Sequence, residues 1–139
     1  MRTILLSSFI LMLSLFSSTV KAQENAQDKE NHVVLTRKIP QLKPIILSAK
    51  ELAKEDGDKF GDFQVVICGK TVQNLTDEEK ISSFIEMAKA NKVSLVACGF
   101  SIEKFKVDSS KIPKDIKIVK NGILHNLRLQ KQGYKSIEL

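Results

Sequence analysis

Apolar and polar positions along this chain follow two periods, one close to two residues and one close to 3.6. Residues 32–36 (HVVLT) form a short β-branched run and predict a first strand. After it Leu42, Ile45, Ile46, Ala49, Leu52 and Ala53 recur three and four residues apart and so share one helical face. Lys43, Lys50, Lys54 and Glu55 fall elsewhere. Pro44 fits only the first helical turn, where no backbone hydrogen bond is lost, and Asp56-Gly57-Asp58 ends the helix. Residues 63–68 (FQVVIC) are apolar on both faces, the pattern of a central strand in a covered sheet. Thr76 and Glu79 have the spacing of a capping box for a second helix, with Asp77 and Glu78 complementing its dipole. Ile81, Phe84, Ile85 and Ala88 form its buried stripe and Asn91 closes it.

Residues 93–98 (VSLVAC) predict a third strand and 116–119 (IKIV) a fourth. The Lys-rich stretch 101–115 reads as a short helix or irregular loop. Asn121 is placed to cap a helix whose buried positions are Ile123, Leu124, Leu127 and Leu129. Gly133 ends that helix, and residues 134–139 form a short closing strand. Strands alternating with helices argue for parallel pairing, because parallel neighbours need a crossover and right-handed crossovers place helices on the faces. The expected fold is α/β, a parallel sheet with helices on its faces.

The first residues carry a different signal. Arg2, the apolar run 4–16 and a small-residue exit ending at Ala22 have the order of a secretory signal peptide, cut before Gln23. The segment 4–20 is short of the roughly 20 apolar residues of a membrane span and is interrupted by hydroxyl residues. The expected organisation is therefore a signal peptide at 1–22, a polar tether at 23–31 that can bury nothing, and one domain at 32–139. That makes an exported, periplasmic protein with no stable membrane insertion after cleavage. The chain has 139 residues and a net charge of +6, of which Arg2 and Lys21 leave with the signal. The remaining lysines are interleaved with acids, there is no Trp, and no nucleic-acid motif occurs, so nucleic acid is not an expected partner.

Few residues can carry chemistry. Function in such sheets sits beyond the carboxyl ends of the strands, and both cysteines lie there: Cys68 closes the second predicted strand and Cys98 the third, each followed by Gly. A thiol at a helix start has its anion stabilised and becomes nucleophilic near neutral pH. Three readings stay open for the pair: a reactive Cys98, a structural Cys68–Cys98 disulfide in an oxidising compartment, or two inert buried thiols. His32 and His125 lack partners at ligand spacing, so neither a metal nor a cofactor is expected. Gly57 and Gly61 do not form a phosphate loop. Asn74-Leu75-Thr76 is a glycosylation sequon, of consequence only in a eukaryotic secretory route.

Three segments carry a resemblance. They are Val65-Val66-Ile67-Cys68-Gly69, Val96-Ala97-Cys98, and the stretch from Asn121-Gly122 to Gly133-Tyr134. In order and spacing they resemble the DsrE/DsrF-like sulfur-relay family, in particular its exported single-domain branch. The resemblance implies a five-stranded, mainly parallel sheet between helical layers, homo-oligomers, a sulfur-donor or thiol-redox protein as partner, and a cysteine that carries sulfur as a persulfide. Cys98 matches that cysteine. The chain departs from the pattern in having Cys68 where His is common, Arg37-Lys38-Ile39 where an Asp-rich turn is usual, and Lys120 where Pro is frequent. The reading is a thiol-based sulfur carrier or redox protein acting through Cys98, with a non-catalytic binding module stapled by Cys68 and Cys98 as the alternative.

Overall fold

A computed structural model describes residues 29–139. The expected signal peptide and most of the expected tether lie outside the described residues. The elements in chain order are β1 (Glu30–Thr36), α1 (Leu42–Asp56), β2 (Phe60–Ile67), α2 (Glu78–Ala90), β3 (Val93–Cys98), α3 (Gly99–Lys104), β4 (Ile116–Val119), α4 (Gly122–Lys131) and β5 (Lys135–Glu138). Short 3-10 turns at Ile39–Gln41, Gly57–Lys59, Lys70–Thr76 and Ser109–Lys111 join them.

The five strands form one sheet in the order β4-β3-β2-β1-β5, and every pair is parallel. Chain direction explains the layers. From β1 to β4 the sheet grows one strand at a time in one direction, so right-handed crossovers put α1 and α2 on the same face. The chain then returns across the whole sheet to pair β5 with β1, and the same handedness puts α4 on the opposite face.

Two cores result. On the α1/α2 face Val34, Phe63, Val65, Ile67, Leu95 and Ala97 pack against Leu42, Ile45, Ile46, Ala49, Ile81, Ile85 and Ala88. On the other face Val33, Leu35, Val66, Cys68, Val96 and Cys98 pack against Leu129, with Val119 and Tyr134 at the margin. The first core is the larger because two full helices and two apolar turns cover it. The second is covered by α4.

Several expected boundaries and contacts are corrected. β1 begins at Glu30 and β2 at Phe60, earlier than the β-branched runs suggest, since Glu30 pairs with Phe60 in the ladder. Asn31 accepts the Asp62 amide on its side-chain oxygen at 2.7 Å, so the last residues assigned to the tether belong to the sheet. The cap of α2 is Asp77, whose carboxylate accepts the Lys80 amide at 3.3 Å. Thr76 is drawn into the preceding 3-10 turn, its hydroxyl donating to the Gln73 carbonyl at 3.1 Å. The stretch 101–115 resolves into the end of α3 and the turn at Ser109–Lys111.

The largest correction concerns α4. Ile123, Leu124 and Leu127, expected inside, are exposed at 53%, 41% and 50%, while Gly122, Asn126 and Leu129 are buried. The sheet beneath α4 presents Asp62, Gln64 and Ser136 as well as valines, and the helix meets them with polar groups. Ser136 and Gln130 both donate to the Asn126 side-chain oxygen, at 3.0 and 3.2 Å. His125 Nε2 pairs with Gln64 Oε1 at 2.8 Å.

The corrected cap is directly testable. Asp77→Ala lowers the urea midpoint of unfolding, because the α2 start loses its acceptor, whereas Thr76→Ala leaves the midpoint within error; the reverse ranking would restore the capping box.

Candidate active site

The two cysteines meet at the carboxyl end of the sheet. In the β2/β3 ladder Ile67 pairs with Ala97, so the next position sets Cys68 beside Cys98. The alternation that turns Val66 and Val96 toward α4 turns both sulfurs the same way, into the second core. The ladder continues past β2, since the Cys68 amide donates to the Thr36 carbonyl at 3.0 Å and holds the residue in extended backbone. Both cysteines are free and 4% exposed.

Topology selects this place. The connection after β3 leads toward the α1/α2 side, and the connection after β4 leads to α4 on the other side. The ends of β3 and β4 therefore flank a switch in crossover direction, where open α/β sheets leave a crevice. Cys98 pairs with Val119 at that point. The Phe100 amide reaches across to the Lys120 carbonyl at 3.0 Å and ties the two loops together.

Gly122, the first residue of α4, closes the crevice from above. Its amide donates to Cys98 Sγ at 3.2 Å. A Cβ there would stand 2.7 Å from Cys68 Sγ and 2.9 Å from both Cys98 Cβ and Val66 Cγ1, so glycine is what lets the helix start descend onto the thiols. Asn121 caps α4 as expected, accepting the Leu124 amide at 3.0 Å, which fixes the direction of that first turn.

Cys98 is itself the N-cap residue of α3, with β-region backbone. Ser101, three residues on, is buried in the first turn of α3, and its hydroxyl and amide favour the Cys98 anion. The Ser101 hydroxyl oxygen accepts the Gly69 amide at 2.8 Å, which ties it to the loop after β2.

These donors divide the roles of the two thiols. Burial opposes ionisation of Cys98, but the Ser101 hydroxyl, the Gly122 and Ser101 amides and the Cys68 thiol outweigh it and hold its pKa below the ordinary 9.0. At Cys68 burial acts first and the neighbouring Cys98 sulfur adds to it, so its pKa is pushed up from 9.0 to about 12. The two thiols are thus split in opposite directions, Cys98 toward easier ionisation and Cys68 away from it.

The other candidates lie apart from this chemistry. His32 stacks on Phe63 with ring centroids 5.7 Å apart, on the α1 face, and its Nδ1 is buried without a hydrogen-bond partner. It borders an apolar groove of about 260 Å³ lined by Ile45, Leu52, Phe63, Ile137 and Leu139. His125, held by Gln64, has its pKa lowered by burial and then by Lys117 and Arg128. Tyr134 donates to Asp62 at 2.7 Å; burial, then that bond, pushes its pKa to about 12. Among the described residues no group of three or more His, Cys, Asp or Glu could hold a metal ion. Likewise no described helix is long and apolar enough to cross a membrane.

Ser101 and Gly122 are the site residues that pattern reading misses. Ser101 stands at capping distance from Cys98, a local signal once Cys98 is taken as a helix start. Gly122 carries no local signal, since its role comes from a contact across 24 residues.

An all-parallel five-stranded sheet flanked by helices, with two adjacent cysteines at the strand ends, defines a three-layer α/β/α domain. The chain belongs to the DsrE/DsrF-like family, which matches residues 40–139 and is associated with sulfur relay. Among solved structures, one of a protein of unknown function from Methanobacterium thermoautotrophicum is similar, with a TM-score of 0.66 and 18% identity over 79% of this chain and 100% of that one. That likeness supports the fold. No curated protein sequence matches the chain.

Carbon NMR of labelled cysteine in the reduced protein should give two separate titrations, Cys98 below 9.0 and Cys68 approaching 12. Ser101→Ala should move the first to higher pH, and an unmoved titration would remove the hydroxyl from the site. Because the folded state disfavours the Cys68 thiolate, its contribution to stability is whole below pH 9 and is lost as pH rises toward about 12. Cys68→Ala should flatten the alkaline limb of stability against pH. Gly122→Ala, which overpacks the dithiol, should cost about 1–3 kcal/mol in denaturant unfolding.

Proposed function

We propose that this domain handles sulfane sulfur through Cys98, which accepts a sulfur atom as a persulfide and passes it on. The observation that carries the reading is the Gly122 amide donating to Cys98 Sγ at 3.2 Å at the start of α4, with Ser101 and Cys68 also favouring the Cys98 anion. Such surroundings favour the thiolate, which is the nucleophilic form.

The chemistry is two displacements. The Cys98 thiolate attacks the sulfane sulfur of a donor, forming a new S–S bond while the donor's own bond breaks and its leaving sulfur departs with the electron pair. An acceptor thiolate then attacks the outer sulfur, takes it, and returns Cys98 as thiolate. The donors that stabilise Cys98 before loading also stabilise it as the leaving group in the second step, so one cage serves both.

The expected setting is the periplasm, following the leader in residues 1–22, with a sulfur-donor or thiol-redox protein as partner. The family resemblance adds self-association, for which the exposed Ile123, Leu124 and Leu127 on α4 offer an apolar face. The adjacency of Cys68 and Cys98 also fits the alternative, a non-catalytic binding module with the pair as a staple.

A chain with a single thiol separates these readings. Cys68→Ala exposed briefly and without oxygen to inorganic polysulfide should gain one sulfur atom on Cys98 by intact mass and peptide mapping, and Cys98→Ser should gain none. If Cys98→Ser instead lowers the melting temperature of protein purified without reductant by several degrees, and neither variant takes up sulfur, the pair is a staple and the sulfur reading fails.

A further inference from the structure

Loading sulfur on Cys98 leaves Cys68 without a chemical task, yet Cys68 is the nucleophile closest to the loaded atom. We infer that Cys68 discharges the Cys98 persulfide by attacking its inner sulfur, so that the site reduces sulfane sulfur to hydrosulfide and closes a Cys68–Cys98 disulfide. This rests on the reading of Cys98 as the sulfur-bearing residue.

Three features place Cys68 for that attack. The β2/β3 register sets the two residues side by side, and the bond from the Cys68 amide to the Thr36 carbonyl of β1 holds Cys68 in extended backbone beyond the end of β2. Neighbouring strands run about 4.8 Å apart, within the Cα separation that a disulfide spans. Cys68 Sγ and Cys98 Cβ border one point, 2.7 and 2.9 Å from where a Gly122 Cβ would stand, so the Cys68 sulfur lies on the side of the Cys98 side chain and its inner sulfur.

Enclosure decides which thiol arrives first. Both cysteines are 4% exposed, and the backbone of Gly122 lies directly over them. An external acceptor has to get past the first turn of α4 to reach a sulfur on Cys98. Cys68 is in contact from the start, and well-oriented groups in contact act at effective concentrations of about 10⁵ M or more. A small donor such as polysulfide displaces that turn least, so the substrate class inferred for loading is a small sulfane-sulfur compound.

The step balances. Cys68 Sγ forms a bond to Cys98 Sγ as the bond between Cys98 Sγ and the outer sulfur breaks, and the outer sulfur leaves as hydrosulfide with the electron pair and the proton that Cys68 gives up. The two cysteines together lose two electrons, which the departing sulfur carries away. The raised pKa of Cys68 fits this order, because the thiol stays protonated and passive until a leaving sulfur can take its proton. Return to the dithiol requires two electrons from an external dithiol reductant by ordinary exchange. The class of reaction that must follow this one is therefore thiol–disulfide exchange.

The test compares the fully reduced native chain with Cys68→Ala, Cys68→Ser and Cys98→Ser, each exposed anaerobically to inorganic polysulfide, desalted, and read by intact mass with and without alkylation. Two replacements at Cys68 guard against a packing defect in either one, and only variants with native far-ultraviolet circular dichroism are compared. The native chain should end two hydrogens lighter, with no alkylatable thiol and with hydrosulfide released. Both Cys68 variants should end one sulfur heavier, with that sulfur outlasting any on the native chain by roughly tenfold or more. Cys98→Ser should be unchanged. A native chain that keeps its added sulfur as long as the Cys68 variants overturns the discharge step and leaves the carrier reading standing. Sulfur taken up by none of the four chains overturns the carrier reading and this inference together.

Discussion

The contact between the first turn of α4 and the ends of β2 and β3 is the constraint on which the second face of this protein depends. It exists because Gly122 has no side chain: the nearest atoms to a Cβ there would be Cys68 Sγ at 2.7 Å and Cys98 Cβ at 2.9 Å. With the helix start seated, its amide reaches Cys98 and the dithiol loses nearly all contact with solvent. Lifting it away would free both sulfurs and expose Val66 and Val96, since α4 is the helix that covers them. Packing and chemistry share one joint here.

The same joint accounts for the unusual inward face of α4. A helix anchored by its first residue at the strand ends has its rotation set there, so the positions that meet the sheet farther along are dictated: His125, Asn126 and Leu129. The sheet answers with Gln64 and Ser136, and Tyr134 just beyond the helix binds Asp62, completing a chain of hydrogen bonds down the face. Such bonds bring α4 little net stability individually, about 1 kcal/mol each, but leaving these groups buried and unpaired would cost more. Rotating α4 to bury Ile123, Leu124 and Leu127 would strand the polar groups of both partners.

That explains what could and could not be read from the sequence. α1, α2, β2 and β3 were legible because each buries a surface of one kind, so period and hydrophobicity agree; Leu42, Ile45, Ile46 and Ala49 all lie inside as their spacing implies. The cap moved one residue, from Thr76 to Asp77, because a 3-10 turn competed for the Thr76 hydroxyl, and such turns leave little trace in periodicity. The face of α4 was misread because its hydrophobic residues mark the outside. The cysteines were legible as neighbours at strand ends, since each closes an apolar run before a glycine. Their different surroundings were not, because Ser101 of α3, Gly69 of the loop after β2 and Gly122 of α4 come together from three separate segments.

Burial alone would have made the two thiols alike. Each is 4% exposed, and desolvation raises the pKa of any buried thiol. What separates them is their surroundings: Cys98 ends a strand and opens a helix, with the Gly122 amide donating to its sulfur and Ser101 favouring its anion, while Cys68 ends a strand that leads into a 3-10 turn. A Cys68 thiolate would be desolvated and face the Cys98 sulfur as a repulsive neighbour, so ionisation of the pair is favoured at Cys98. The first bond to an electrophilic sulfur is therefore favoured at Cys98, with Cys68 following. Order in this site comes from unequal hydrogen bonding of two otherwise equivalent residues.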